Sequence, residues 1–229
     1  KQLVKETQTT LYIFLLTVFN ILLSKYCRQD DIIVGVAVIG RRHPDLLDIT
    51  GKFVNMLALR NHPHGNKSFQ SFLAEVKENT LNAFENQDYP FDTLVNQLKL
   101  ERQVGRNPLF DVVFELQNLD DNRKKHNYHD FSLLTGLKLY PYPHENKTAK
   151  FDFYIDTKDL GVKIRMSLKY STELLEKSTA EKIIERYMEI LKQVLENIDL
   201  QLKDISFSLQ LLPVKVTLPD EDEYEFDNS

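Results

Sequence analysis

The chain has 229 residues, enough for one large domain or two small ones. Its 42% apolar and 28% charged residues are those of a soluble globular protein, and a net charge of -5 argues against nucleic acid as a partner, because binding phosphates needs a basic face. The single cysteine, Cys27, excludes an internal disulfide and points to a reducing, cytoplasmic compartment.

The opening residues, KQLVKETQTT, do not read as a signal peptide. The spacing predicts a first helix over Thr7–Tyr26. Leu11, Phe14, Leu15, Val18, Phe19, Leu22 and Leu23 recur at helical intervals, and Ile13, Leu16 and Ile21 fill the other faces. A helix apolar nearly all round is buried on several sides. The run contains Thr17 and Asn20 and falls short of the roughly 20 apolar residues a membrane span needs. A chain that opens so abruptly on such a helix reads as a piece of something larger.

Two strands follow, over Ile32–Ile39 and Phe53–Leu59. The first is a near-continuous β-branched run, which suits a strand covered on both faces. Gly35 interrupts it, as at a bulge or a close backbone approach. Gly40 ends it, and the cations Arg41 and Arg42 follow. The second strand carries one polar side chain, Asn55, whose amide needs partners because burying it unpaired costs about 1–3 kcal/mol. NHPHGN over 61–66 is a turn. Ser68 caps a helix over Phe69–Phe84 whose buried stripe is Phe69, Phe72, Leu73, Val76, Leu81 and Phe84. A short helix over Phe91–Leu98 begins after Pro90.

Phe110–Gln117 alternates as a strand, 120–130 is a polar loop, and Leu137–Tyr142 is a short strand. Phe151–Asp156 and Val162–Tyr170 form a hairpin around Lys158–Gly161. An amphipathic helix spans Ser178–Asn197, with Ile183, Ile184, Tyr187, Ile190, Leu191, Val194 and Leu195 on one stripe. Residues 219–229 hold six carboxylates in eleven positions, so 213–229 reads as an acidic linker or tail.

Several blocks, in order, resemble condensation domains of nonribosomal peptide synthetases. They are Asp30-Asp31, Gly40-Arg41, Gly51-Lys52-Phe53-Val54-Asn55, Gln87-Asp88-Tyr89-Pro90-Phe91, Arg106-Asn107-Pro108-Leu109-Phe110, Lys150-Phe151-Asp152-Phe153 and Tyr170-Ser171-Thr172. The resemblance runs from about Thr7 to Leu212 and is to the C-terminal lobe, so 1–212 is read as that lobe. It implies an α/β fold, a mixed sheet flanked by helices, like one lobe of the chloramphenicol-acetyltransferase-like architecture. The implied activity, in the intact domain, is amide formation between a carrier-bound acyl thioester and a carrier-bound amino acid. Implied partners are the N-terminal lobe, carrier domains and a downstream adenylation domain. Phosphopantetheine arrives on the carriers, and no cofactor is bound directly.

The family's His-His-x-x-x-Asp-Gly signature is absent: no two of the six histidines are adjacent, so no catalytic residue carries over. Met56 stands where the family favours threonine, Ala37 where it favours proline, and Val104-Gly105 replaces leucine and serine. By resemblance, Asn55, Gly35 and Phe53 line a substrate channel, and Arg41 and Arg42 form a cationic rim for the phosphopantetheine arm. For Asn55 two readings stand: a positioning group for the reacting carbonyl or amine, or a core amide bonded to neighbouring backbone. For the arginine pair the alternative is solvated turn cations. Arg106, Asn107 and Pro108 read as structural, with side-chain bonds to loop carbonyls.

His62 with His64, and His126 with His129 and Asp130, read as solvated loop residues, because nothing completes a four-ligand metal set. Cys27 reads as a small hydrophobe closing a helix. No Gly-x-Ser-x-Gly elbow or phosphate-binding glycine loop occurs. The alternatives are an epimerisation or cyclisation lobe, or a non-catalytic module that docks carriers.

Overall fold

The structure is a computed structural model that describes residues 1–46, 48–100, 106–118, 149–161 and 163–207. In chain order its elements are α1 (Gln2–Glu6), α2 (Leu11–Cys27), β1 (Ile32–Ile39), a 3-10 turn (Pro44–Leu46), β2 (Val54–Asn61), α3 (Phe69–Glu85), α4 (Phe91–Gln97), β3 (Val112–Asn118), β4 (Phe153–Asp159), β5 (Ile164–Tyr170) and α5 (Lys177–Glu196). The expected strand Leu137–Tyr142, the polar loop 120–130 with His126, His129 and Asp130, and the acidic 213–229 segment lie outside the described residues.

The first long helix starts later than the apolar period suggests. Gln8 has a φ of 50, in the left-handed region, which breaks helical continuity with α1. Thr10 then caps α2: its backbone is extended and its hydroxyl accepts from the Ile13 amide at 3.2 Å. Every residue from Ile13 to Leu23 is buried, so α2 is the spine of the core. At about 1.5–3 kcal/mol for each large apolar side chain fully buried, no other element contributes more.

The sheet has five strands in the order β2-β1-β3-β4-β5. The inner pairs β1–β3 and β3–β4 are parallel and the outer pairs are antiparallel, so the sheet is mixed as expected. Registered partners share a face, which sorts the side chains. Val34, Val36, Val38, Leu57, Leu59, Phe114 and Ile155 join α2, α3 and α5 in one core. Phe19 of α2 meets Phe114 and Phe153, at 5.4 and 5.9 Å between ring centres.

The expectation that β1 is covered on both faces holds only at its middle. Helices cover the face of Val34, Val36 and Val38. On the other face Gly35 is buried, Ala37 is half-buried and Ile39 is exposed.

In α3 the Ser68 hydroxyl accepts from Ser71 N at 3.2 Å, as its position predicts. Leu81, however, faces solvent. Thr80, four residues after Val76, takes the buried place instead. The β4–β5 turn falls one to two residues later than the sequence suggests, with Gly161 at φ 81 and Leu160 N bonded to Lys163 O at 2.8 Å. In α5 the buried stripe is Ala180, Ile183, Tyr187, Ile190 and Val194, while Leu195 is exposed. The Tyr187 hydroxyl donates to Leu15 O at 2.9 Å and ties α5 to α2.

Candidate functional site

Because β1 and β2 pair without interruption from Ile32↔Asn61 to Ile39↔Val54, Gly35 marks no bulge. It marks a close approach: a Cβ built there would lie 2.2 Å from the Phe110 ring. Phe110 is buried on that face and touches Phe91 and Phe151, with ring centres 5.5 and 6.0 Å away. Glycine at 35 makes room for this aromatic group.

Asn55 is half-buried on edge strand β2. Its Nδ2 donates to Gln87 O at 2.9 Å and to Tyr89 O at 2.8 Å, and its Oδ1 accepts from Phe91 N at 3.2 Å. Both donors are therefore used, and one acceptor lone pair remains. This geometry supports the backbone-bonded reading. The amide fastens the α3–α4 connection, the Gln87–Phe91 block, to the sheet.

The two arginines differ. Arg41 donates to the carbonyls of Leu46 and of Gly51, the latter at 3.0 Å, and its guanidinium lies 4.2 Å from the centre of the Phe53 ring. It braces the β1–β2 loop. Phe53, half-buried beneath it, also accepts Gly40 N on its carbonyl at 2.9 Å. Arg42 is exposed and pairs with the exposed Asp88 at 3.1 Å, a solvated ion pair of the weak kind. Arg41, Arg42, Phe53 and Asn55 thus gather at one end of the β1–β2 hairpin beside the α3–α4 connection, while Gly35 sits mid-strand on the opposite face from Asn55.

Arg106 departs from the expected bonds to loop carbonyls. Its Nε donates to Asp111 Oδ1 at 3.1 Å and its Nη2 to Asp111 Oδ2, a two-pronged pair to a carboxylate five residues on. Asn107 does bond the loop backbone: its Oδ1 accepts from Leu109 N and Phe110 N at 3.1 and 3.4 Å. With Pro108 between them, this turn delivers Phe110 to Gly35.

Among the described histidines, His64 Nδ1 lies 3.2 Å from Asp30, His43 Nδ1 3.3 Å from Asp45, and His62 Nδ1 3.7 Å from Asp31. No group of three or more His, Cys, Asp or Glu among the described residues is placed to hold a metal ion. Burial pushes the Cys27 thiol up, which works against a nucleophilic role.

One polar group escaped the sequence reading. On the sheet face opposite the helices, the Tyr154 hydroxyl donates to the Glu115 carboxylate. Burial first, then that bond, raises the phenol's pKa, so it stays protonated. Next to Tyr154 on the same face, two residues on, Asp156 is 7% exposed, and its Oδ1 has no partner among the described residues. The strict alternation in Phe153-Tyr154-Ile155-Asp156 was the available signal.

The condensation-domain family model matches residues 1–210. Tyrocidine synthase 3 from Brevibacillus parabrevis is 47% identical over 205 residues, 90% of this chain and 3% of that protein. Bacitracin synthase 2 from Bacillus licheniformis is 42% identical over 206 residues, 90% of this chain and 8% of that protein. The chain therefore spans under a tenth of these relatives.

Among solved structures, a four-domain nonribosomal peptide synthetase, holo-AB3403, superposes with a TM-score of 0.78 at 19% identity over 90% of this chain and 16% of that one. The X-domain from teicoplanin biosynthesis superposes with a TM-score of 0.78 at 20% identity, over 90% of this chain and 46% of that one. At such identities the likeness bears on fold alone, and it agrees with the mixed α/β sheet. No helix among the described residues is long and apolar enough to cross a membrane. With the family match over 1–210 and identities above 40%, the chain belongs to the condensation-domain family of nonribosomal peptide synthetases.

Proposed function

We propose that the chain is the C-terminal lobe of a cytoplasmic condensation domain, and that in the intact enzyme it helps join a carrier-bound acyl thioester to a carrier-bound amino acid. The observation that carries this reading is the pairing of a family match over 1–210 with coverage of only 46% of a lone X-domain. The chain also lacks His-His-x-x-x-Asp-Gly, so the proton-handling group resides in the other half. In this reading the lobe supplies channel wall and carrier-facing surface. Asn55 acts by holding the Gln87–Phe91 segment in place, because its donors are spent on backbone. Phe53 seats Arg41 in the β1–β2 loop, and Gly35 admits Phe110 on the other face of the sheet. Of the two rim cations, Arg42 is the one able to exchange its solvated partner for a phosphate on the phosphopantetheine arm, while Arg41 fixes the loop. Carrier domains and a following adenylation domain are its partners.

The test is an assay with one carrier bearing an acyl thioester and another bearing an amino acid. The isolated chain forms no amide and the intact polypeptide does. Amide formed by the isolated chain overturns the reading. Inversion of the donor's α-carbon by the intact polypeptide, without amide formation, points to an epimerisation lobe, and binding of carriers without either reaction points to a docking module.

A further inference from the structure

Among the described residues Asp156 is the one charged side chain that is buried, at 7% exposure, and its Oδ1 has no hydrogen-bond partner there. It stands in the middle of β4, on the sheet face opposite the helices. Register places Glu115 of β3 on one side of it and Ser167 of β5 on the other. Paired strands lie about 4.8 Å apart, so the two carboxylates are immediate neighbours. Glu115 is already matched, because it accepts from the Tyr154 hydroxyl. Asp156 Oδ1 is not. Of the cations on this face, Lys169 lies with its Nζ 5.1 Å from the centre of the Tyr154 ring, and Lys158 and Arg165 stand one row farther along.

An acceptor buried without a donor is costly, and a like charge directly beside it adds to the cost. A cationic donor arriving from outside the described chain removes both. The lining says which kind fits. Two carboxylates and a serine hydroxyl offer several acceptors at one point, which suits a primary ammonium with its three N–H bonds. A divalent metal suits it less, since no group of three or more ligating side chains among the described residues is placed to hold one. Glu115 and Tyr154 are half-buried and Ser167 and Lys169 are exposed, so the row is open toward β5.

We propose that Asp156, with Glu115 beside it, binds the side-chain ammonium of the carrier-bound amino acid, and so determines specificity for a basic residue at that position. This rests on the reading above, in which the lobe supplies channel wall. The α-amine is the wrong occupant. It must be neutral, with its lone pair free to attack the thioester carbonyl carbon, whereas two carboxylates would hold it protonated. A side-chain ammonium takes no part in that step and can stay charged. The bond from Tyr154 fixes the Glu115 carboxylate in place, so the site is formed before the amino acid arrives.

Two experiments test this, one of them independent of the lobe reading. In the 229-residue chain, Ser167→Lys puts an ammonium on the cross-strand neighbour of Asp156, at an exposed position where folding is retained. A Tm gain of about 2–4 °C is expected, and its disappearance in an Asp156→Asn background. No gain, or an equal gain in both backgrounds, overturns the site. In the intact polypeptide, amide formation is compared for carriers loaded with ornithine and with norleucine. The ratio of their kcat/KM values is expected to favour ornithine and to fall about tenfold or more in Asp156→Asn. A ratio that Asp156→Asn leaves unchanged, or one that favours norleucine from the start, overturns the proposal while the lobe reading stands. Failure of the intact polypeptide to form an amide with either carrier brings down the lobe reading and the substrate assignment together.

Discussion

Gly35→Ala is the sharpest probe of how this sheet is built. The added methyl lands 2.2 Å from one Phe110 ring carbon, 2.4 Å from a second and 2.7 Å from a third, all well inside van der Waals contact. The ring cannot step aside freely, because Phe110 is buried and packed against Phe91 and Phe151. Overpacking of this kind costs about 1–3 kcal/mol, and the ring contacts put the cost in the upper half of that range. For a chain of this length that lowers Tm by roughly 2–4 °C per kcal/mol.

Phe110→Ala alone removes the ring and costs about 3–5 kcal/mol. In the double variant the methyl has the vacated space, so the two losses sum to more than the double variant shows, with a coupling of about 1–3 kcal/mol. Urea titration of the four proteins measures the cycle. A neutral Gly35→Ala, or strict additivity with Phe110→Ala, refutes the close approach and returns Gly35 to the open channel wall that the family resemblance implies.

Asn55→Ala leaves the Gln87 and Tyr89 carbonyls and the Phe91 amide without their partner. A loss of about 1–3 kcal/mol is expected, with faster hydrogen exchange at the Phe91 amide and unchanged exchange in β1. Asn55→Asp is expected to be worse, since a carboxylate would face two carbonyls. Stability at acid pH divides two carboxylates by sign. Asp31 is held below its usual range by its bonds to Arg60, so its contribution is present above the unfolded pKa and is lost as pH falls through the folded one. The Tm deficit of Asp31→Asn therefore shrinks as pH drops below about 4. Asp152 is raised, by burial first and then by Asp111, so its ionisation opposes folding at neutral pH. Asp152→Asn is expected to raise Tm at pH 7 and to lose that advantage in acid. The same Tm shift at both pH values would contradict that assignment.

The strands and helices that carry their own local signal were legible. β1 begins and ends where its β-branched run does, and Ser68 caps α3 as its position indicates. The start of α2 was not, because Thr7, Thr9 and Thr10 are all acceptable caps. Only the left-handed backbone at Gln8 selects the third. Leu81 misled because hydrophobicity alone ranks it above Thr80, whereas the angle around α3 buries the threonine. The residues singled out as site candidates have partners that spacing alone does not reveal. Asn55 bonds to backbone 32 to 36 residues away, and Gly35 meets a ring 75 positions on, contacts set by tertiary arrival and invisible to spacing. The pairing of Tyr154 with Glu115 comes from parallel register, which no local pattern encodes.

The buried asparagines carry a last consequence. Asn20 of α2 donates to Leu16 O at 2.8 Å, Asn61 of β2 donates to Asn20 Oδ1 at 3.4 Å, and Asn79 of α3 donates to Asn61 Oδ1 at 3.1 Å. A helix as uniformly greasy as α2 has little to choose between one azimuth and the next, since every rotation offers the core a similar oily surface. The amide relay works as a detent: any turn or slide of α2 breaks the Asn61–Asn20 bond and leaves the Asn20 Oδ1 and the Asn61 Nδ2 without that partner in hydrocarbon, while Asn20 keeps Leu16 O and Asn61 keeps Asn79. Replacing both with leucine would keep the grease and remove the index mark, leaving a helix that is still sequestered but free to settle at more than one angle.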